Sequence, residues 1–187
     1  MMKTLGLAAI VLSGCAFDGA RRLDRPARFQ VGVNSRQLAR PAGDGFAARS
    51  TTPPANGGLV ADHATTFDAQ FTMAHRHGSY LGVEAEAGTL GTSGSNYAAG
   101  YGVAGLELPL ARGALGIELA GGRRWLRADL ESEDVREWTV EGRAHGRVWL
   151  GEKVSFGATL GADPGGSWMA GMSLSVYSNV FNRWGWK

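Results

Sequence analysis

The residues best equipped for chemistry fall in one stretch, Trp138–Asp163, which reads WTVEGRAHGRVWLGEKVSFGATLGAD. Glu141, Arg143, His145 and Arg147 occupy every second position there. A carboxylate beside an imidazole could serve as an acid–base pair. Glu84, Glu86 and Glu118 supply further carboxylates upstream. A second group is His75, His77 and Ser79 in the run HRHGS. It places a hydroxyl next to a candidate base, and a serine needs such a base to act as a nucleophile. His63 and His75 are too isolated to serve as metal ligands. The single cysteine, Cys15, excludes an internal disulfide and a Cys-rich metal site. No phosphate-cradling loop or Cys/His cluster is present, so no cofactor is expected.

These groups need elements to hold them, and the pattern around them is a period of two. Trp138, Val140, Gly142, Ala144, Gly146, Val148 and Leu150 share one face. Thr139, Glu141, Arg143, His145 and Arg147 share the other. Successive side chains alternate across a pleated strand, so this is a strand pattern. A turn at Gly151–Lys153 then leads into Val154, Phe156, Ala158, Leu160 and Ala162, alternating with Ser155, Gly157, Thr159 and Gly161. Similar alternation predicts strands at 28–35, 65–75, 80–89, 97–108, 114–126 and 168–178. With the hairpin these make eight. Residues 36–64 hold Pro41, Pro53 and Pro54 with no period, and read as a long loop. The other connections alternate between longer ones at 90–96, 127–137 and 163–167 and shorter ones at 76–78, 109–113 and 150–153. The predicted class is all-β: an eight-stranded, antiparallel, up-and-down barrel. Hairpin counting brings Glu118 within about two residues of His145 or Arg147.

At 187 residues the chain has room for one domain. A formal charge of +2, with no basic arm or helix, gives no reason to expect a nucleic-acid partner. No apolar run reaches the ~20 residues that a spanning helix requires. Only helices and closed barrels satisfy every backbone group in lipid, so this chain would cross a bilayer as a barrel. The polar faces are mostly Gly, Ser and Thr, and the only Lys residues are Lys3, Lys153 and Lys187, against sixteen Arg. A solvent-facing sheet normally carries long charged side chains. Small residues suit the cramped interior of eight strands. Trp125, Trp138 and Trp168 fall on the apolar face at the long-loop end, as an aromatic girdle at one membrane interface would. The expected orientation is therefore apolar face to lipid and polar face to the lumen. The alternative is a lipid-anchored soluble barrel that binds a small apolar ligand inside.

The N-terminal run MMKTLGLAAIVLSGC begins with Lys3 and an apolar core, and reads as a secretory signal at 1–14. Leu12-Ser13-Gly14-Cys15 resembles the lipobox of bacterial lipoproteins. That resemblance implies a diacylglycerol on Cys15, which becomes the mature N-terminus. Ala16 following Cys15, in place of Asp, resembles the sorting pattern of enterobacterial lipoproteins that are sent to the outer membrane, and that resemblance implies the same destination. An ordinary signal cut after Ala16 is the competing reading. Residues 15–27 read as a tether, 28–181 as the barrel and 182–187 as a tail.

As a whole, residues 28–181 resemble the small eight-stranded outer-membrane barrels of the OmpA/OmpX type. The alternation through Met169–Tyr177, with Val180 and Phe181, is similar to the C-terminal assembly signal of such barrels. It implies the barrel-assembly machinery as a partner, beside membrane lipids. The His-x-Ser spacing of HRHGS resembles the lipid A deacylase barrels, which gather a His, a Ser and a Glu on one wall. This chain has Tyr80 where that family has Asn, and no Glu at the matching downstream distance. The motif also falls in a short turn, away from the outer leaflet. The leading expectation is a non-enzymatic outer-membrane barrel with a structural or surface-interaction role. Loop 36–64 is its expected contact with an extracellular or envelope partner. Two readings of the lumen charges stay open: an ion-pair network that fills the core, or the plug of a gated pore.

Overall fold

Alternation along each strand sets which side chains face inward, and closure of the sheet sets what they meet. The structure, a computed structural model, describes residues 27–41, 59–74, 78–91, 95–127 and 135–178. Its strands are β1 (Ala27–Pro41), β2 (Leu59–Ala74), β3 (Ser79–Leu90), β4 (Ser95–Leu110), β5 (Gly113–Arg127), β6 (Val135–Trp149), β7 (Val154–Ala162) and β8 (Trp168–Ser178). Each pairs antiparallel with the next, and β8 returns to β1 in the register Ala27↔Ser178 to Gln37↔Trp168. The result is a closed barrel of eight strands. Closure removes the free sheet edge over the shared height of the barrel, and β6 extends from Val135 beyond its pairing with β7, which begins at Gly142↔Ala162. No helix among the described residues is long and apolar enough to cross a membrane.

One expectation needs correction. The segment 36–64 is not a loop throughout, because Arg36–Pro41 pairs with Leu59–Ala64 and extends the first hairpin. The apolar face of β1 lapses after Val33, while Asn34, Arg36 and Leu38 continue the inward row. Polar and proline content masked a strand held by its neighbours. The connection between β1 and β2 is therefore 42–58, outside the described residues. The expected placement of Glu118 holds within its two-residue margin: Glu118 lies opposite Arg143, two residues from His145, which itself lies opposite Gly116. The small offset arises because β6 starts at Val135, three residues earlier than expected, while β5 gains only Arg127 at its C-terminal end. Cys15, His75 and His77, and the terminal segments 1–26 and 179–187, lie outside the described residues.

The burial pattern runs opposite to that of a water-soluble domain. Phe29, Phe67, Leu81, Ile117, Leu119 and Leu174 all stand exposed on the outer wall. Trp138 is 79% exposed and Leu160 is 65% exposed. Facing inward are Arg, Glu, Asn, Gln, Ser and Thr, most of them buried. A smaller apolar cluster, including Leu38, Leu90, Tyr97, Val103 and Leu126, fills the interior toward the long-loop end.

Glycines on the two faces have different surroundings. A Cβ on inward Gly105 would collide with the Tyr80 ring and the Ile117 carbonyl. Nothing lies within 4 Å of a Cβ placed on outward Gly121. Gly105→Val is expected to destabilise by about 1–3 kcal/mol through overpacking. Gly121→Val should stay within about 0.5 kcal/mol. Urea titration of the detergent-refolded protein measures both. Among the described residues three glycines, Gly78, Gly91 and Gly166, have positive φ; Gly166, in the turn after β7, has φ +89°, and its N–H donates to the Asp163 carbonyl at 3.1 Å.

Candidate functional site

The site is the lumen, and alternation builds it. Every second residue of each strand points into a space bounded on all sides by the other seven strands. Charged groups taken out of water must find partners there. Glu84, Glu86, Glu118, Glu141, Arg143, His145 and Arg147 are all buried inside. They join five residues that sequence reasoning did not place among them: Arg28, Arg36, Asp68, Glu107 and Arg124.

Three layers of contacts cross the barrel. Nearest the short turns, Glu107 accepts from Arg28 Nη1 at 2.6 Å. It also lies 3.1 Å from His145 Nε2 and 3.0 Å from Arg147 Nη2. Arg147 Nη1 donates to the Tyr177 hydroxyl at 2.9 Å, and the Trp149 ring meets the Tyr177 ring edge-on with centroids 4.8 Å apart.

In the middle layer Arg143 touches three carboxylates. Its Nη1 donates to Glu84 at 2.7 Å and to Glu118 at 3.1 Å, and its Nε donates to Glu141 at 3.0 Å. Tyr80 donates its hydroxyl to Glu118 at 2.9 Å. The amide of Gln70 donates to Glu84 at 3.0 Å and to Glu118 at 3.1 Å. The Arg143 guanidinium also stands 5.1 Å from the centre of the Tyr101 ring, in cation–π range.

Toward the long-loop end Arg36 bridges Glu86 at 2.7 Å and Glu141 at 2.6 Å. Glu86 is further held by Thr66, by the Tyr97 hydroxyl at 3.2 Å and by Asn34 at 3.2 Å. Arg124 donates to Glu141 at 3.0 Å and to Asp163 at 2.6 Å, which ties β5 and β6 to the β7–β8 turn. Asn34 also donates to Asp68 at 2.9 Å. Beside Asp68 lies a water-sized cavity lined by Gln70, Glu84, Glu118, Arg143 and His145. Its lining is mostly polar and charged, with Met169 and Met172 on one side, and its small size suits water.

Chemically, this arrangement locks acids to bases. Each of the carboxylates Glu84, Glu107, Glu118 and Glu141 is engaged by at least one guanidinium. No group of three or more His, Cys, Asp or Glu among the described residues could hold a metal ion. Ser79 opens β3 at the short-turn end, while its motif partners His75 and His77 lie outside the described residues.

On the outer wall Trp125, Trp138 and Trp168 are exposed near the long-loop end. The Trp168 indole donates to Gln37 Oε1 at 2.7 Å.

The missed residues differ in how visible they were. Arg28, Asp68, Glu107 and Arg124 sit opposite outward apolar residues in their own strands, so alternation alone would have added them. Arg36 needed the strand extension as well.

No protein-family model matches the chain. No curated protein matches it in sequence. Among solved structures it is similar to Neisserial surface protein A (NspA), with TM-score 0.54 and 9% identity over 81% of this chain and 97% of that one. It is also similar to Ail, the attachment invasion locus protein of Yersinia pestis, with TM-score 0.48 and 10% identity over 82% and 97% of the two chains. A de novo designed transmembrane β-barrel gives TM-score 0.45 and 7% identity over 82% and 95%. The similarity to NspA is one of fold.

Proposed function

We propose that this chain is an integral outer-membrane barrel with a structural or surface-interaction role and no catalytic activity of its own, held in addition by a lipid on Cys15. The observation that carries the reading is the reversed burial of the closed barrel. Its outer wall presents Phe29, Phe67, Leu81, Ile117, Leu160 and Leu174, while its interior is ionic. Contiguous exposed apolar surface of this extent marks an interaction surface, and a lipid-facing apolar band surrounds membrane barrels. Trp125, Trp138 and Trp168 form its aromatic girdle at the long-loop interface. The charge layers fill the lumen, which favours a closed core over a channel. Residues 42–58 and the other long-end connections are the surface offered to an extracellular or envelope partner. Assembly through the C-terminal alternating strand calls on the barrel-assembly machinery. The fold shared with a Neisserial surface protein is in keeping with this role.

The soluble alternative needs an apolar internal pocket, and the interior cavity beside Asp68 is polar. Expression of the full chain tests the proposal. The protein should show heat-modifiable gel mobility and should need detergent for extraction. Cys15→Ser should abolish labelling by radioactive palmitate yet leave the protein in the membrane fraction. A soluble protein after Cys15→Ser and loss of the signal would overturn the reading. Lipid A of unchanged mass in overexpressing cells would remove the enzymatic alternative.

A further inference from the structure

Charge is sparse on the outer wall, and where it occurs it is clustered and of one sign. Among the described strand side chains, the outward Arg, Lys, Asp and Glu residues are Arg123, Arg127 and Arg136. All three belong to the β5–β6 hairpin near the long-loop end. They interleave with the girdle: Arg123 lies opposite Trp138, and Trp125 lies opposite Arg136. On the other side Arg123 faces Gly100 of β4, and a Cβ on Gly100 would touch the Trp125 ring. The indole of Trp125 therefore leans across Gly100, next to Arg123. Arg123 Nε is buried and meets no hydrogen-bond acceptor among the described residues. Toward the barrel middle, glycines alternate with apolar side chains: Gly121 faces Val140, and Gly142 faces Leu119. Gly102 lies opposite Gly121, and nothing stands within 4 Å of a Cβ on Gly121 or Gly142.

We propose that this patch binds the phosphate-bearing headgroup of an anionic lipid in the leaflet at the long-loop end. Arg123 donates to the phosphate, and Arg127 and Arg136, each already engaged within the protein, stand beside it. Trp125 and Trp138 mark the boundary between headgroup and acyl chain, where aromatic rings concentrate. The shallow strip at Gly102, Gly121 and Gly142 receives an acyl chain. An Arg on the lipid face is tolerated near the interface, where its head can reach polar groups. The inference rests on the reading that the outer wall meets lipid.

The test uses the full chain reconstituted into bilayers, with its tryptophan fluorescence quenched by brominated phosphatidylcholine or by brominated phosphatidylglycerol. The wild type should prefer the anionic lipid, by roughly fivefold for each cation that reaches the headgroup. That preference should shrink in high salt. Arg123→Gln should lower it about fivefold, the share of a single cation, while Arg123→Lys keeps most of it. Arg112→Gln, in the exposed turn at the opposite end, should leave it unchanged. Equal quenching by both lipids in the wild type would overturn the headgroup site and leave the membrane reading intact. So would an unchanged preference in Arg123→Gln. Failure of both lipids to quench would overturn the membrane reading itself.

Discussion

Arg143→Met is expected to destabilise the barrel by about 3–5 kcal/mol, the usual consequence of removing one partner from a buried ionic group. Arg143 is the shared partner of Glu84, Glu118 and Glu141. Without it Glu84 keeps the Gln70 amide, and Glu118 keeps Gln70 and the Tyr80 hydroxyl. Neither neutral donor offsets a buried negative charge. Glu141 is better supplied, because Arg36 and Arg124 remain. The deficit therefore falls on two carboxylates. Adding Glu84→Gln and Glu118→Gln to Arg143→Met should restore more than half of the loss, since neutral amides need no counter-charge. Arg112→Met, at an exposed turn, should change stability by less than about 0.5 kcal/mol. Urea titration of the detergent-refolded variants, followed by the gel shift between folded and unfolded forms, gives all three values. A loss below about 1 kcal/mol in Arg143→Met would mean that water reaches these carboxylates and that the lumen is open.

The second large effect concerns the outer wall. Leu119→Arg places a charge midway along β5, with Ala104 and Gly142 as its cross-strand neighbours. Leu119 is 57% exposed. In a water-soluble barrel such a change would be close to neutral, within about 0.5 kcal/mol. At the middle of a bilayer it should cost about 2–4 kcal/mol. The same substitution at Gln37, beside Trp168 at the rim, should cost at most about 1 kcal/mol, because the penalty falls toward the interface. Equilibrium folding into lipid vesicles measures the difference. A depth-independent, near-zero cost would place this wall in water.

How far the sequence could be read depended on what held each element. Where an apolar face ran unbroken, as in β7 and β8, alternation located the strand to the residue: Val154–Ala162 and Trp168–Ser178 are as expected. Hairpins with short turns also set their own register. The upper halves of β1 and β2 were illegible for a physical reason. Gln37 and Ala39 make no apolar outer face, so nothing local marks Arg36–Pro41 as strand. Its pairing with Leu59–Ala64 is a property of the closed sheet. That gap concealed Arg36, the bridge between Glu86 and Glu141. The lumen partners were half legible. Parity identifies which residues point inward, but not which guanidinium reaches which carboxylate. Arg143 contacts Glu84, a residue of β3 on another wall, and no spacing along the chain encodes that contact. The basic patch of Arg123, Arg127 and Arg136 became visible only once every strand had been assigned an outer face.

The most direct test of the outward apolar wall is collision accessibility of spin labels along β5. With Cys15→Ser removing the native thiol, single Cys residues at positions 115 to 121 would carry the label in reconstituted vesicles. At 115, 117, 119 and 121 a lipid-facing wall predicts high accessibility to oxygen and low accessibility to a water-soluble nickel chelate. At 116, 118 and 120 both reagents should collide weakly, as befits side chains enclosed in the lumen. High nickel accessibility at 115, 117 and 119 would contradict this orientation, because those side chains would then face water.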